Sequence, residues 1–293
     1  MQEADIDVDN ATGDADAQIV QRAVEAAVDT TTIVIGEDTD LLLLLCYYTK
    51  ETSKDIYFKY GTSVSDKAWH IQQLQRNLTP ELCQDILTLH AYFGCDTTSL
   101  FNIGMTACLK LYKEKGFREA VSLFRQPNIP KEDIHNAGNV MMVATYKGSK
   151  GKDLDDLRHE KYLQKKKVTD FVHPRTIPPT KSASYKHSER VYLTVQDWIG
   201  RPLDPLQWGW ELVDGQYHPV HTDLPPGPHS LLGDIRCGCS TSNCAGGRCT
   251  CQRLGLQCSS LCKECKGVTC RNHMTCYDEA DPAEDFAVLS EQI

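Results

Sequence analysis

Apolar residues along the chain fall into short blocks whose spacing separates strands from helices. Thr30-Thr31-Thr32-Ile33-Val34-Ile35 is an unbroken β-branched run that favours the extended state, and its lack of alternation suits a strand covered on both faces. A strand of that kind implies a parallel sheet. Ahead of it, Ile19, Val20, Ala23, Val24, Ala27 and Val28 recur at helical spacing, predicting a helix that opens at Asp14 and Asp16. Asp55-Ile56-Tyr57-Phe58-Lys59-Tyr60 alternates as a second strand and closes at Gly61. The pattern then turns helical: 68–78; a helix with Thr79 as N-cap and Pro80 at its first position, leading into the apolar stretch Leu82 to Tyr92; a helix after Gly104 that includes 110–112; 117–124; and one carrying Ala137, Val140, Met141 and Ala144. Leu41 to Leu45 is too short for a membrane span and reads as core.

Breaks in the pattern divide the chain. Residues 1 to 12 are acidic and predict a frayed end, and Lys147-Gly148-Ser149-Lys150-Gly151-Lys152 is a flexible boundary closing an α/β unit over 1–147. A helical connector is expected over 148–235. It holds a polar helix at 153–167, a loop with Pro174, Pro178 and Pro179, and an apolar helix face at Val191, Val195 and Trp198. Trp208, Trp210 and Tyr217 predict a small aromatic cluster, read as packing rather than a base-stacking platform because no basic groove lies beside them in sequence. Pro225-Pro226-Gly227-Pro228 leads into a cysteine-rich module at 236–276, and 277–293 is an acidic tail.

Composition narrows the class. A chain of 293 residues with 41% hydrophobic content can pack a globular core. Net charge of -9 argues against a generally basic nucleic-acid coat, although Lys150 to Arg190 holds eleven Lys/Arg against six Asp/Glu. Met1-Gln2-Glu3-Ala4-Asp5 is no signal region and no apolar run reaches the roughly 20 residues of a span, so the expectation is an intracellular protein with no membrane partner. Fourteen cysteines in such a chain point to metal rather than disulfides.

The acids come next. Asp38 and Asp40 follow the first strand directly, and in open α/β sheets reactive groups sit beyond the carboxyl ends of strands. Asp96 lies in Phe93-Gly94-Cys95-Asp96-Thr97-Thr98-Ser99, between helical stretches. Each place also has an ordinary reading, since Asp caps helices and ends strands. Taken in order, Asp-x-Asp opening a helix, Asp-x-Asp after a strand, then Gly-Cys-Asp followed by Ile-Gly and a helix resemble the second half of the flap-endonuclease (PIN-like) nuclease core. That resemblance implies a partial PIN-like parallel sheet with helices. It also implies Asp14, Asp16, Asp38, Asp40 and Asp96 as ligands of Mg or Mn, and Ile103-Gly104 as part of a turn resting on the DNA backbone. More closely, Gly36-Glu37-Asp38-Thr39-Asp40-Leu41-Leu42, Leu89-His90-Ala91, Gly94 to Ser99 and the cysteine-rich tail resemble a set of animal proteins of mobile-element origin. The flap-endonuclease core begins upstream with a strand carrying its own Asp, and only thirteen residues precede Asp14, so a partial core is expected.

The cysteine module has its own arithmetic. Cys237, Cys239, Cys244, Cys249, Cys251, Cys258, Cys262, Cys265 and Cys270 are nine ligands. Two four-cysteine zinc sites leave one spare; three zincs fit if six thiolates are terminal and three bridge. The spacing resembles the CXC module of the tesmin/TSO1 family, down to Cys270-Arg271-Asn272. The family places a Tyr before its fourth cysteine, to contact the DNA minor groove, where this chain has Arg248. A disulfide knot is the alternative, and Cys276 falls outside the pattern as a free thiol.

Two functions follow as expectations. One is metal-dependent phosphodiester hydrolysis at the acids, curtailed if the core is partial; the other is a non-catalytic remnant of a mobile element that binds nucleic acid or protein. The expected location is nuclear and the expected partner nucleic acid, DNA ahead of RNA, while protein partners are left open.

Overall fold

The computed structural model describes residues 8–11, 15–61, 67–101, 103–168 and 172–223, and in the cysteine-rich segment 236–240, 243–245, 248–254, 256–258, 262–267 and 270–272. Asp14, Cys276 and the tail 277–293 lie outside the described residues. The protein is α/β, with many helices around two small sheets.

Helix α1 (Asp16–Ala26) leads into strand β1 (Thr32–Gly36), helix α2 (Thr39–Tyr48) and strand β2 (Ile56–Tyr60). β1 and β2 pair in parallel, Val34 opposite Phe58. The next strand, β3 (Ala68–His70), is antiparallel to β2, so the sheet is mixed where a parallel one was expected. The helix predicted over 68–78 is correspondingly shortened to α3 (Ile71–Asn77). The physical reason is local: Trp69 stacks on Phe58 across the strand pair at 6.1 Å, and His70 Nδ1 accepts the Gln73 N–H at 3.0 Å, which starts the helix there.

The sheet is covered on one face only. Val34, Ile56 and Phe58 are buried, whereas Ile33 and Ile35 are 62% and 57% exposed and β1 is an outer strand. The expectation of a strand covered on both faces is therefore wrong: the unbroken apolar run reflects isoleucines on an open face, not burial.

The core lies on the other side. Leu41 to Cys46 of α2 are all buried, so this helix is enclosed rather than amphipathic. Helix α4 (Pro80–Phe93) begins as its sequence predicts, with Thr79 Oγ1 accepting the Leu82 N–H and Pro80 in the first turn. Helices α5 (Met105–Leu111), α6 (Lys115–Leu123), α7 (Lys131–Thr145), α8 (Leu154–Lys166) and α9 (Lys181–Trp198) complete the layer. α9 packs against both α4 and α7, and its Val191, Tyr192, Val195 and Trp198 join the same buried cluster as Val34 and Leu44. Hydrogen bonds fix that packing: the Tyr92 hydroxyl donates to the Gly138 carbonyl at 2.8 Å, His187 Nε2 to the Tyr92 carbonyl at 2.9 Å, and Gln196 to the Phe124 carbonyl at 2.8 Å. A hairpin of β4 (Trp210–Val213) and β5 (Gln216–Pro219) follows, turning at Asp214-Gly215 with φ of 50° and 79°. No helix among the described residues is long and apolar enough to cross a membrane.

Candidate functional site

The acidic site forms where β1 turns into α2. A Cβ on Gly36 would lie 2.6 Å from Leu41 Cδ1, so a larger residue at this joint would oblige the Leu41 side chain to shift. Asp38 is the N-cap of α2: one carboxylate oxygen accepts the Asp40 N–H at 2.9 Å, which satisfies one of the helix's free amides and leaves the other oxygen available. Asp40 then falls in the first turn, where the positive end of the helix favours a carboxylate. Asp16 comes in from the first turn of α1, which packs along α2. One ligand oxygen from each of Asp16, Asp38 and Asp40 lies within 4.8 Å of the others.

That spacing suits a hard cation. Ligand oxygens around an octahedral Mg²⁺ at about 2.1 Å are about 3.0 Å apart when adjacent and about 4.2 Å when opposite, so the three carboxylates would have to draw together to share one ion. Asp96, in the loop after α4, lines the same cavity as Asp40, a space of about 350 Å³. Of the predicted acids, the structure thus gathers Asp16, Asp38 and Asp40, while Asp96 shares a cavity with Asp40 but is not within that group. Ile103 and Gly104 directly precede α5; Ile103 is half-buried against the core and Gly104 is exposed.

Two residues at this site were given no role from the sequence, although His90 falls in the Leu89-His90-Ala91 motif. His90, on α4, places Nε2 2.5 Å from Asp40 Oδ1, with both side chains buried, and its ring stacks on Trp198 at 5.9 Å. Asp197, on α9, lines the cavity beside Asp40 and Asp96. His90 sits one helical turn before Gly94 on an apolar helix, where a lone histidine is a visible signal; Asp197 adjoins Trp198 on a helix with many polar positions and gives none.

The cysteine module builds the second site. Its buried cluster consists of Cys237, Cys244, Cys249, Cys251, Cys258, Cys262, Cys265 and Cys270, with Cys239 half-buried at its margin. No disulfide joins any described cysteine. Close sulfur pairs are 3.6 Å for Cys237 and Cys244, 3.7 Å for Cys237 and Cys258, 3.8 Å for Cys249 and Cys258, and 3.5 Å for Cys251 and Cys262. Such gaps exceed the roughly 2.05 Å of a disulfide and match the edge of a tetrahedron around zinc, about 3.8 Å for Zn–S bonds of about 2.3 Å. The residues fit the metal, and the cluster could hold zinc.

In three quartets all sulfurs lie within 4.8 Å of one another: Cys237, Cys244, Cys249, Cys258; Cys237, Cys258, Cys262, Cys265; and Cys244, Cys258, Cys265, Cys270. They overlap, with Cys258 common to all. The sulfurs diverge without metal: burial pushes the Cys237 thiol up to about 12, whereas at Cys249 the Gln252 N–H and the Cys258 thiol outweigh burial and lower it to about 7. Backbone bonds tie the module's ends together: Lys263 N–H to the Cys237 carbonyl, Cys258 N–H to the Asn272 carbonyl, and Arg271 N–H to the Asn243 carbonyl. Around the sulfurs, Arg236, Arg248, Arg253, Lys263, Lys266 and Arg271 are all exposed.

Compared with protein-family models, with curated proteins and with solved structures, the chain finds no match in any of the three.

Proposed function

We propose that the chain carries a metal-dependent nuclease site of the flap-endonuclease (PIN-like) type, joined to a three-zinc CXC-like module, in a protein of mobile-element descent that acts on nucleic acid in the nucleus. The observation that carries this reading is the convergence of Asp16, Asp38 and Asp40 at the carboxyl end of β1, with Asp96 on the same cavity. A divalent ion there supplies Lewis acidity to a phosphodiester and lowers the pKa of a bound water. The chain's own residues do the rest. Asp38 uses one oxygen to fix the start of α2 and offers the other, Asp40 is oriented by His90, and Asp96 supplies negative charge from the loop after α4.

In the second site, three zincs and nine thiolates give a cluster of formal charge about -3, which the exposed basic residues around it offset. That shell is where the module would meet phosphate.

The test is cleavage of labelled oligonucleotides with Mg²⁺ or Mn²⁺ by the parent chain and by Asp38→Asn and Asp96→Asn. Each variant removes a negative ligand at nearly constant volume, so both should lose cleavage while keeping the circular dichroism of the parent. Cleavage undiminished in both variants assigns the activity elsewhere. No cleavage by the parent favours the non-catalytic binding reading.

A further inference from the structure

Of the carboxylate trio Asp16, Asp38 and Asp40, only Asp40 lines the cavity of about 350 Å³. The cavity therefore has chemistry that the trio does not account for. Asp96 and Asp197 line it too, and with Asp40 they bring three carboxylates to a space that no lysine, arginine or histidine lines among the described residues. Trp198, Trp210 and Tyr217 line the same space.

Strand register places two of these rings together. Trp210 pairs with Pro219 and Leu212 with Tyr217, so all four side chains share one face of the hairpin, and Trp210 and Tyr217 are diagonal neighbours about 7–8 Å apart. Tyr217 is 54% exposed and Leu212 55%, so this apolar face runs on from the cavity into solvent. Trp198 is held in place by the His90 ring, parallel to it at 5.9 Å, and by the Tyr48 hydroxyl, which donates to its carbonyl at 2.5 Å. Trp208, two residues before Trp210, behaves differently: it packs on Tyr192 at 4.5 Å and has Lys131 Nζ 5.2 Å from its ring centre. Among the described residues, no lysine or arginine of this chain lies over Trp198, Trp210 or Tyr217.

The carboxylates set the sign of the ligand, and the rings set its character. A divalent metal gains little from aromatic side chains, and a primary ammonium is a compact, strongly hydrated charge. Methyl groups on the nitrogen spread the charge and weaken its hold on water, and such cations are attracted to aromatic faces. We propose that the cavity receives the methylated side chain of a lysine carried by another protein chain, with its ammonium head near the carboxylates and on Trp210 and Tyr217, and its neighbouring residues against Leu212. A peptide fits better than a free cation because the apolar face continues past the cavity to Leu212, which a small solute would leave uncovered. A space of about 350 Å³ takes a single side chain rather than a folded surface. This goes beyond the nuclease reading, in which Asp197, Trp210 and Tyr217 have no part, and it requires no cleavage.

The test uses the full zinc-loaded chain and a fluorescein-labelled glycine-serine peptide with one central trimethyl-lysine, read by anisotropy. Three further probes are the same peptide with unmodified lysine, the same peptide with a neutral tert-butyl group in place of the trimethylammonium, and free choline as competitor. The methylated peptide should bind about tenfold or more tightly than either peptide analogue. Its affinity should fall about tenfold in Tyr217→Ala and in Trp210→Ala, the size of a desolvated cation–ring contact, and Trp210→Phe should recover part of the loss. Tyr217→Ala removes an exposed side chain, and its circular dichroism should match the parent's. Equal binding of the tert-butyl peptide makes the contact purely hydrophobic and overturns the proposal. Equal binding of unmodified lysine, unchanged affinity in both alanine variants, or no binding of the methylated peptide by the parent also overturns it. Choline that binds as tightly as the methylated peptide assigns the cavity to a free cation and overturns the peptide source. Cleavage of oligonucleotides with Mn²⁺, run in parallel, reports on the nuclease reading alone, so the two can fail separately.

Discussion

His90 Nε2 sits 2.5 Å from the Asp40 carboxylate, linking α4 to the first turn of α2 through two buried side chains. The bond occupies Asp40 Oδ1 and sets the plane of the carboxylate, so the other oxygen is presented in a fixed direction. His90 is a positioning residue on this geometry. With the proposed nuclease activity as readout, His90→Ala should lower Mn²⁺-dependent cleavage about 10–100-fold and raise the Mn²⁺ concentration needed for half-maximal rate, as loss of an outer-shell partner does at other metal sites. His90→Gln, which keeps a donor, should recover part of the loss. Unchanged metal dependence in His90→Ala would remove the positioning role.

The overlap of the sulfur quartets makes zinc content a graded readout. Cys258 belongs to all three quartets and Cys270 to one. Elemental analysis should find three zincs per parent chain, a loss of more than one ion in Cys258→Ser, and a smaller loss in Cys270→Ser. Two zincs in the parent point to independent four-cysteine sites, and intact disulfides by mass rule out the thiolate cluster. Because the buried cluster is sulfur with little else, a strong chelator should unfold the module, as structural zinc contributes roughly 10–16 kcal/mol per site in small peptides.

A buried histidine away from both sites ties stability to pH. Burial and the nearby Arg190 together lower His187 from 6.5 to about 4, against the opposing pull of the Tyr92 carbonyl it donates to. Between those two values the unfolded chain binds a proton that the folded chain does not. Stability from this group is therefore complete above pH 6.5 and is lost as pH falls toward 4, by on the order of 3 kcal/mol. Urea unfolding at a series of pH values should show this slope, and His187→Gln should flatten it. An equal slope in the variant would place the acid sensitivity in other groups.

Gly138 marks the tightest approach between α7 and α9. A Cβ there would lie 1.8 Å from Ser188 Oγ and 2.8 Å from its Cβ. Gly138→Ala forces the helices apart despite alanine's better helix propensity, and thermal unfolding should register a loss of about 1–3 kcal/mol or more. Gain of stability would mean that the two helices are free to separate.

The strands at 32–36 and 56–60, the capped start of α4 and the enclosed Leu41–Leu45 block were legible in the sequence because each depends on neighbours in the chain. Misreadings came where distant residues decide. Ala68–His70 is extended because it lies against Phe58, and the open face of β1 cannot be inferred from a run of Ile and Val that looks buried. At the acidic site, the strand end and helix start announced Asp16, Asp38 and Asp40, but Asp197 and the rings that line the cavity arrive from α9 and the hairpin across more than a hundred residues. The hairpin itself was missed, although Asp214-Gly215 is a two-residue turn signal, because few apolar residues alternate beside it.

The open outer edge of β1 bears on how the purified protein will behave in a tube. Thr32 to Ile35 has high β propensity, no charge and no proline, and it lies on a strand with nothing hydrogen-bonded to its outer side among the described residues. Edges of that composition template intermolecular cross-β stacking, so concentration rather than temperature should limit solubility. A lysine at Ile33, whose side chain is 62% in solvent, would act as a gatekeeper without disturbing the core. Light scattering of Ile33→Lys against the parent at rising concentration should show delayed aggregation at unchanged melting temperature.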